Sequence, residues 1–300
     1  MRVWIITCNA AEAAFMEQHE ILAKMRSVID ELPQLPGSVN RILKVLEDPE
    51  AGVRKITEAV MPDPALTTKV LKVANSAYYG FSATIASVSR AVPLLGLETI
   101  KSLALSLGVF ESMGRDQKDS ELIPKNELWL HSLTVADTMV EMAKRLDVEA
   151  EYLFIMGFLH DVGKLVLARS FPDLYKECLD RAFEEGRDLS EIERKMIRFD
   201  HGEVGALLLT RWKFPKVLVN PVRFHHKDKL PSGPDTVDVA MVRVADALAN
   251  RLLHGEDHPK SRIRQADLDY LELQQSELES LYAYQKEAEE KVSSWLAALN

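Results

Sequence analysis

Five of the eight histidines in this 300-residue chain have neighbours and spacings that suit metal binding. The clearest case is the adjacent pair His160-Asp161, which follows the apolar run from Leu153 to Leu159. An imidazole nitrogen and a carboxylate oxygen side by side can ligate one cation, and the second carboxylate oxygen is able to bridge to another. The pair therefore predicts a divalent metal site at the end of a buried helix.

Further candidate ligands lie on both sides of this pair. Glu127 and His131 are four residues apart, so a helix would place them on one face about one turn apart. His201 falls in the first turn of a predicted helix, directly after Asp200. The complete set of candidate metal ligands is Glu127, His131, His160, Asp161, His201, His225, His226 and Asp246.

Asp246 interrupts an otherwise apolar stretch from Val239 to Ala249. A buried carboxylate without a partner is costly, so we expect Asp246 to face a metal, a cation or a polar side chain. Pairing with Arg243 or Arg251 is the structural alternative. Each candidate has such an alternative when it is taken singly, and the ordered set as a whole favours a metal centre.

Gly163 and Lys164 follow the His-Asp pair. We expect Gly163 to let the chain turn sharply and bring Lys164 back over the site as a cation that faces phosphate. Asp161 and Lys164 are accordingly the candidate catalytic residues.

Charge is distributed unevenly along the chain. The sequence has 37 basic and 46 acidic side chains; residues 1–115 hold 12 of each, so the net charge of −9 falls entirely in residues 116–300. Neither half is basic, which argues against direct nucleic-acid binding, because that depends on Lys and Arg neutralising phosphates. The two cysteines form no disulfide framework, and no apolar run approaches the length of a membrane span. We expect a cytoplasmic protein.

Apolar residues recur at spacings of three and four along nearly the whole chain, which predicts an all-α protein. Predicted helices include 64–75, 201–211 and one long C-terminal helix over 265–297. Capping residues are expected at Asp63, before Pro64, and at Asp200. A polar segment at 114–126 separates two apolar helices and coincides with the change in charge. We place a domain boundary there, between residues 1–115 and 116–300.

The order of the histidines and carboxylates resembles the HD phosphohydrolase superfamily, and in detail its HD-GYP branch. This resemblance implies that Asp161 is the bridging carboxylate, that Glu127 serves a third metal and that Lys164 contacts the substrate phosphate. It implies the remaining metal ligands as well: His131, His160, His201, His225, His226 and Asp246. After His226 the segment from Lys227 to Pro234 lacks Gly-Tyr-Pro, so the part that would shape a cyclic di-GMP pocket differs from HD-GYP proteins.

A second resemblance, to the HDOD domain, starts in the first half of the chain and continues downstream. It covers roughly residues 25–230. The matching segments are Leu32 to Pro36, Asp63 to Gly80, Ser87 to Leu97 and Val204 to Pro215. Within the second of these, Asn75 and Ser76 are expected at a helix end, where the amide satisfies terminal backbone groups.

Similarity to HDOD proteins implies a two-lobed all-α fold, with an HDOD helical bundle followed by an HD-type helical domain. It also implies a role in bacterial signal transduction. Expected partners are signalling proteins or a small phosphorylated or nucleotide ligand, with neither nucleic acid nor membrane bound directly.

Three functions remain open for the predicted centre. The first is a metal-dependent phosphohydrolase or phosphodiesterase, in which two or three divalent metals (Fe, Mn, Ni or Zn) activate water. The second is a non-enzymatic signalling or scaffold module whose metal site is structural or sensory. The third is redox chemistry, because the HD superfamily includes di-iron oxygenases.

Overall fold

The computed structural model describes residues 18–31, 34–48, 50–114, 122–148 and 152–298. Within those ranges all regular structure is helical and no strand occurs, which confirms the predicted all-α fold. None of the described helices combines the length and apolar character needed to cross a bilayer.

Sixteen α-helices span the described residues. In chain order they are α1 (Gln18–Glu31), α2 (Gly37–Leu46), α3 (Val53–Val60), α4 (Pro64–Ala74), α5 (Val88–Leu95), α6 (Leu97–Gly114), α7 (Lys125–Leu146), α8 (Leu153–Leu159), α9 (Gly163–Ser170), α10 (Pro172–Glu184), α11 (Leu189–Met196), α12 (His201–Arg211), α13 (Lys216–Phe224), α14 (Thr236–His254), α15 (Gln265–Leu271) and α16 (Gln275–Ala297).

The helices divide into two compact units, and each unit is drawn from separate stretches of sequence. Among the described residues, the first unit contains 18–31, 122–124 and 160–267, and the second contains 34–48, 50–114, 125–148, 152–159 and 268–298. The predicted boundary between residues 115 and 116 lies outside the described residues. The division into domains 1–115 and 116–300 stays a prediction.

Three local signals in the sequence are confirmed. The Asp63 side chain accepts a hydrogen bond from the backbone N–H of Leu66 at 3.0 Å, and Asp200 forms a reciprocal capping box with Glu203. Asn75 ends α4, where its amide donates to the carbonyl oxygens of Leu71 and Ile85 at 2.7 and 2.9 Å. Such caps depend only on nearby residues, which explains why sequence is sufficient to find them.

The predicted C-terminal helix over 265–297 is wrong as a single element. The chain breaks between α15 and α16, where Glu272 adopts a left-handed backbone with φ of 54°. Helix α16 then packs on α7 in the second unit, with Trp295 fully buried and the Gln285 amide donating to the Thr138 hydroxyl at 2.7 Å. The apolar residues of α16 are therefore buried by packing within the second unit.

Helix α9 is absent from the sequence prediction. The chain turns at residues 160–162, just before Gly163, and Lys164 pairs with Asp161, but the glycine is needed for a reason other than the expected one. Gly163 begins α9 with an ordinary negative φ and forms no sharp left-handed turn. A Cβ atom at this position would lie 1.9 Å from the carbonyl oxygen of His201 and 2.6 Å from the backbone nitrogen of Gly205. The glycine is required because α9 and α12 approach backbone to backbone.

Candidate metal centre

His160 and Asp161 occupy the turn that precedes α9, and both side chains are fully buried. The Nε2 atom of His160 lies 3.3 Å from Oδ2 of Asp161 and 3.7 Å from Oδ1 of Asp246. The first unit therefore brings together the adjacent pair and a carboxylate 85 positions later in the chain.

His201 reaches the same carboxylate from the start of α12. Its Nε2 atom is 3.1 Å from Oδ1 of Asp161, and its Nδ1 atom is 2.7 Å from Oε2 of Glu193. Glu193 is fully buried on α11, and the same oxygen accepts the backbone N–H of His201 at 2.8 Å. A carboxylate bound to Nδ1 orients the ring and leaves Nε2 available as a metal ligand.

His225 and His226 follow the last residue of α13 and enter the same cluster. The Nδ1 atom of His225 contacts the carbonyl oxygen of Val222 at 2.6 Å, so Nδ1 carries the proton and Nε2 keeps its lone pair. That Nε2 atom is buried, forms no hydrogen bond with a described residue and lies 3.9 Å from Oδ1 of Asp161. His226 is partly exposed, and its Nδ1 atom lies 4.0 Å from Oδ2 of Asp188.

Four side chains can each offer one ligand atom to a common ion, with these atoms all within 4.8 Å of one another: Asp161, His201, His225 and His226. The donors are nitrogen and oxygen atoms without a thiolate. Such a set suits divalent transition metals such as Zn, Fe, Mn or Ni. The available Nε2 of His225 fits this role, since a buried polar atom without a partner carries a desolvation penalty that a metal would offset.

Asp246 lies at the edge of this cluster, where its Oδ1 atom accepts a hydrogen bond from the Asn250 amide at 2.7 Å. The alternative partner Arg243 is engaged elsewhere: its guanidinium pairs with Asp267 at 3.1 Å and donates to the carbonyl oxygens of Phe224 and His225. Asp246 therefore faces His160 and Asn250 and does not pair with Arg243, and its participation as a metal ligand stays a prediction.

Glu127 and His131 lie on α7, which belongs to the second unit. His131 is buried and Glu127 is exposed, one helical turn apart as expected. Their participation as metal ligands stays a prediction.

Two lysines line a small cavity beside the cluster. Lys164, at the start of α9, forms an ion pair with Asp161. Lys260 lies on a short 3-10 helix, Pro259–Ser261, whose first turn is capped by the His258 ring accepting the Lys260 backbone N–H at 3.3 Å. The cavity has a volume of about 10 Å³, roughly the space of one water molecule.

The surroundings of the cluster shift the pKa values of two of its histidines in opposite directions. Burial disfavours the charged form of His160, but the carboxylate of Asp161 outweighs it and raises the pKa of this histidine to about 10. Burial and the nearby rings of His160 and His201 lower the pKa of His225 to about 3. His225 is consequently a neutral imidazole at pH 7, the form that binds metals.

Glu193 and Lys260 were not identified from the sequence. Glu193 had a usable signal, since it lies four residues after Leu189 and four before Ile197, on the apolar face of an amphipathic helix. A carboxylate at such a position must be paired when the helix is buried. Lys260 had no such signal, because it lies in a polar loop and only the folded chain brings it to the cluster.

We expect Glu193→Gln to weaken metal binding by about 10- to 100-fold, because the orienting carboxylate of His201 becomes a neutral amide. Titration of the metal-free protein with Zn²⁺ against a competing chelator measures this change. Glu191→Gln, on the exposed side of the same helix, serves as the control and should bind metal as the unaltered protein does. Equal affinities for the two variants would contradict the role of Glu193.

Comparison with known proteins agrees with this architecture. A curated, uncharacterized protein of Treponema pallidum (strain Nichols) is 28% identical over 258 residues, which cover 85% of this chain and 49% of the relative. The chain thus spans about half the length of the curated relative that it matches.

Solved structures extend the similarity to the tertiary level. A protein from Shewanella amazonensis SB2B, provisionally named a phosphohydrolase, is 26% identical with a TM-score of 0.73; the match covers 93% of this chain and 98% of that one. An HDOD domain protein of unknown function from Geobacter sulfurreducens is 23% identical with a TM-score of 0.70, covering 92% and 99% of the two chains. The second similarity concerns the fold alone.

The protein-family model described as the HDOD domain matches residues 32–228. This segment contains the turn with His160 and Asp161 as well as His201, His225 and His226. Since the match extends over more than half of the sequence, the chain belongs to the HDOD domain family.

Proposed function

We propose that the first unit binds divalent transition metals at the buried histidine–carboxylate cluster and hydrolyses a phosphoester there. The observation that carries this proposal is the convergence of four ligand atoms within 4.8 Å, next to two lysines. The name of the Shewanella amazonensis relative, a provisional phosphohydrolase, supports the same reaction class.

His201, His225 and His226 would hold metal through ring nitrogens, and Asp161 would hold it through its carboxylate. A divalent metal pair supplies Lewis acidity and makes water a nucleophile near neutral pH. Glu193 holds His201 in its ligating orientation. The chain's own residues thus provide both the ligands and the support that fixes them.

Lys164 and Lys260 would bind the phosphoryl oxygens of the substrate. Lys164 is paired with Asp161, and burial together with Lys164 lowers the pKa of Lys260. Two ammonium groups beside one small cavity repel each other, and an anionic group between them would relieve that repulsion. Fixed cations of this kind stabilise the charge that develops on phosphoryl oxygens.

We further propose that Glu127, His131, His160 and Asp246 complete a centre of two or three metals like that of HD-GYP proteins. His160 and Asp246 support this proposal, because they lie 3.7 Å apart beside Asp161. A bacterial signalling role in the cytoplasm accords with the HDOD family and with the free, buried thiol of Cys178.

A second candidate function, a signalling or scaffold module with a structural or sensory metal site, is favoured by one specific observation. The cavity beside the cluster has room for about one water molecule, which is less space than a phosphoester needs. In this case the occupied centre would stabilise the unit and present it to a signalling protein or to a small nucleotide or phosphorylated ligand.

Lysine variants of the metal-loaded protein test the enzymatic proposal. We expect turnover of a chromogenic phosphodiester, and we expect Lys164→Gln to lower kcat by about 100-fold while metal content is unchanged. Lys260→Gln should act in the same direction. Lys176→Gln, an exposed lysine paired with Asp180 on α10, is the control and should retain full activity.

The outcomes separate the two candidates. Full metal occupancy with no turnover of any phosphomonoester or phosphodiester, and unfolding when metal is chelated, would favour the signalling module. Elemental analysis that finds no metal after loading with Mn, Fe, Ni or Zn would contradict both.

A further inference from the structure

A second cavity, unrelated to the metal cluster, lies wholly within the second unit. It is a cleft of about 440 Å³, lined by the turn that follows α4 and by residues of α6, α7, α8 and α16. Four aromatic side chains contribute to its lining: Tyr78, Tyr79, Phe154 and Tyr284. Its volume falls in the range of sites that hold small organic ligands.

Asp137 is the polar centre of this cleft. Its side chain lines the cavity although the residue is only 7% exposed, and Oδ1 accepts a hydrogen bond from the Tyr78 hydroxyl at 2.6 Å. The Tyr284 hydroxyl acts on the same carboxylate from the opposite part of the sequence, and its side chain also lines the cavity. Burial raises the pKa of Asp137, which expresses the cost of a carboxylate held away from water.

No described Lys, Arg or His side chain forms an ion pair with Asp137. Lys144, which acts on Asp137 electrostatically, is 65% exposed and pairs with Glu141 at 3.3 Å. The tyrosine hydroxyls are neutral, so they add no positive charge beside the carboxylate. A positively charged ligand would supply the missing counter-charge.

The aromatic lining indicates which kind of cation fits. Tyr78 and Tyr79 meet edge to face with ring centroids 4.7 Å apart, and Phe154 and Tyr284 add two further rings to the wall. Aromatic rings attract organic ammonium groups through their negative faces. A hard metal ion such as Ca²⁺ takes six to eight oxygen ligands. The described carboxylates of the lining, Asp137, Glu98 and Glu287, do not bring their oxygens together as such a ligand set.

We propose that this cleft binds a small organic ammonium ion, with Asp137 as its counter-ion and the surrounding aromatic rings as its wall. Two exposed lysines, Lys144 and Lys291, also line the cleft. Their positive charges would repel the ammonium group and so keep it at the Asp137 end of the cleft. This site is independent of the metal centre and of the reaction proposed for it.

The first test uses the full chain without substitution. Calorimetric titration with choline is expected to give saturable binding in the millimolar range or tighter, and 3,3-dimethylbutan-1-ol, its neutral counterpart of the same shape, is expected to bind at least about tenfold more weakly. Ethanolamine, which carries a primary ammonium, shows whether methylation of the nitrogen matters. Equal affinity for choline and the neutral alcohol, or no binding of either cation, would overturn the proposal.

The second test locates the binding site. Asp137→Asn and Tyr284→Leu should each reduce the affinity for the cation by about tenfold, whereas Tyr284→Phe, which keeps the ring, should retain most of it. Thermal unfolding midpoints verify that each variant is folded. Folded Asp137→Asn protein that binds choline as well as the unaltered chain would overturn the assignment of Asp137.

Discussion

Asp161→Asn protein is expected to bind divalent metal at least about 100-fold more weakly than the unaltered chain. Even residues that only orient a ligand change metal affinity by 10- to 100-fold, and Asp161 would contact the metals directly. Its carboxylate lies within 4 Å of the Nε2 atoms of His160, His201 and His225, so all three rings share it as a neighbour. Asparagine preserves the shape of the side chain and removes the negative charge and one ligand oxygen.

Metal content measured by elemental analysis after loading and desalting, together with chelator competition, provides the measurement. Asp180→Asn, an exposed carboxylate paired with Lys176 on α10, is the matched control and should bind metal normally. The loss in Asp161→Asn should exceed the loss in Glu193→Gln, because a ligand contributes more than a residue that orients one. Normal metal content in folded Asp161→Asn protein would remove Asp161 from the centre.

Gly163→Ala is expected to lower the free energy of unfolding by about 3 kcal/mol or more, at the upper end of the cost of overpacking a core. The added methyl group would overlap the carbonyl oxygen of His201 at 1.9 Å and the backbone nitrogen of Gly205 at 2.6 Å. Both obstacles are backbone atoms, so relief requires α9 and α12 to move apart. That movement would also shift His201 relative to Asp161.

Chemical denaturation followed by circular dichroism measures this effect, and metal affinity measured on the same samples reports the displacement of His201. Gly37→Ala is a close control, because Gly37 is likewise the first residue of its helix, and an added Cβ there would come no closer than 3.5 Å to Arg41. We expect that control to change stability by less than about 1 kcal/mol. A similar stability for the two variants would show that the contact between α9 and α12 yields readily.

Local features of the fold were predictable from sequence because they depend on residues a few positions apart. The caps at Asp63, Asp200 and Asn75 each join a side chain to backbone groups no more than ten residues away. Helical periodicity is local in the same sense, and it indicated most of the helices to within a few residues. The candidate ligands were also recognisable, because their order along the chain resembles that of the HD phosphohydrolase superfamily even though each residue taken singly has a structural alternative.

Features that depend on distant contacts were missed. Helix α9 was overlooked because its central residues are buried on all sides, so it lacks the amphipathic pattern that marks a surface helix. The break at Glu272 could not be recognised from sequence, since apolar residues recur at helical spacing on both sides of it, as at Leu271 and Leu278. The sequence suggests that Gly163 serves a sharp turn. Only the position of His201 shows that a side chain is excluded there by close packing of two helix backbones.

By itself, the sequence determined that this protein is helical, where several helices begin and end, and which side chains could ligate a metal. Within the first unit, the tertiary structure decided which side chains meet: Asp161, His201, His225 and His226 converge there, joined by Glu193 and Lys260. The reason is physical. Capping and periodicity act over one or two turns of chain, whereas a metal centre requires atoms a few ångströms apart that are separated by tens of residues, and packing alone sets that distance.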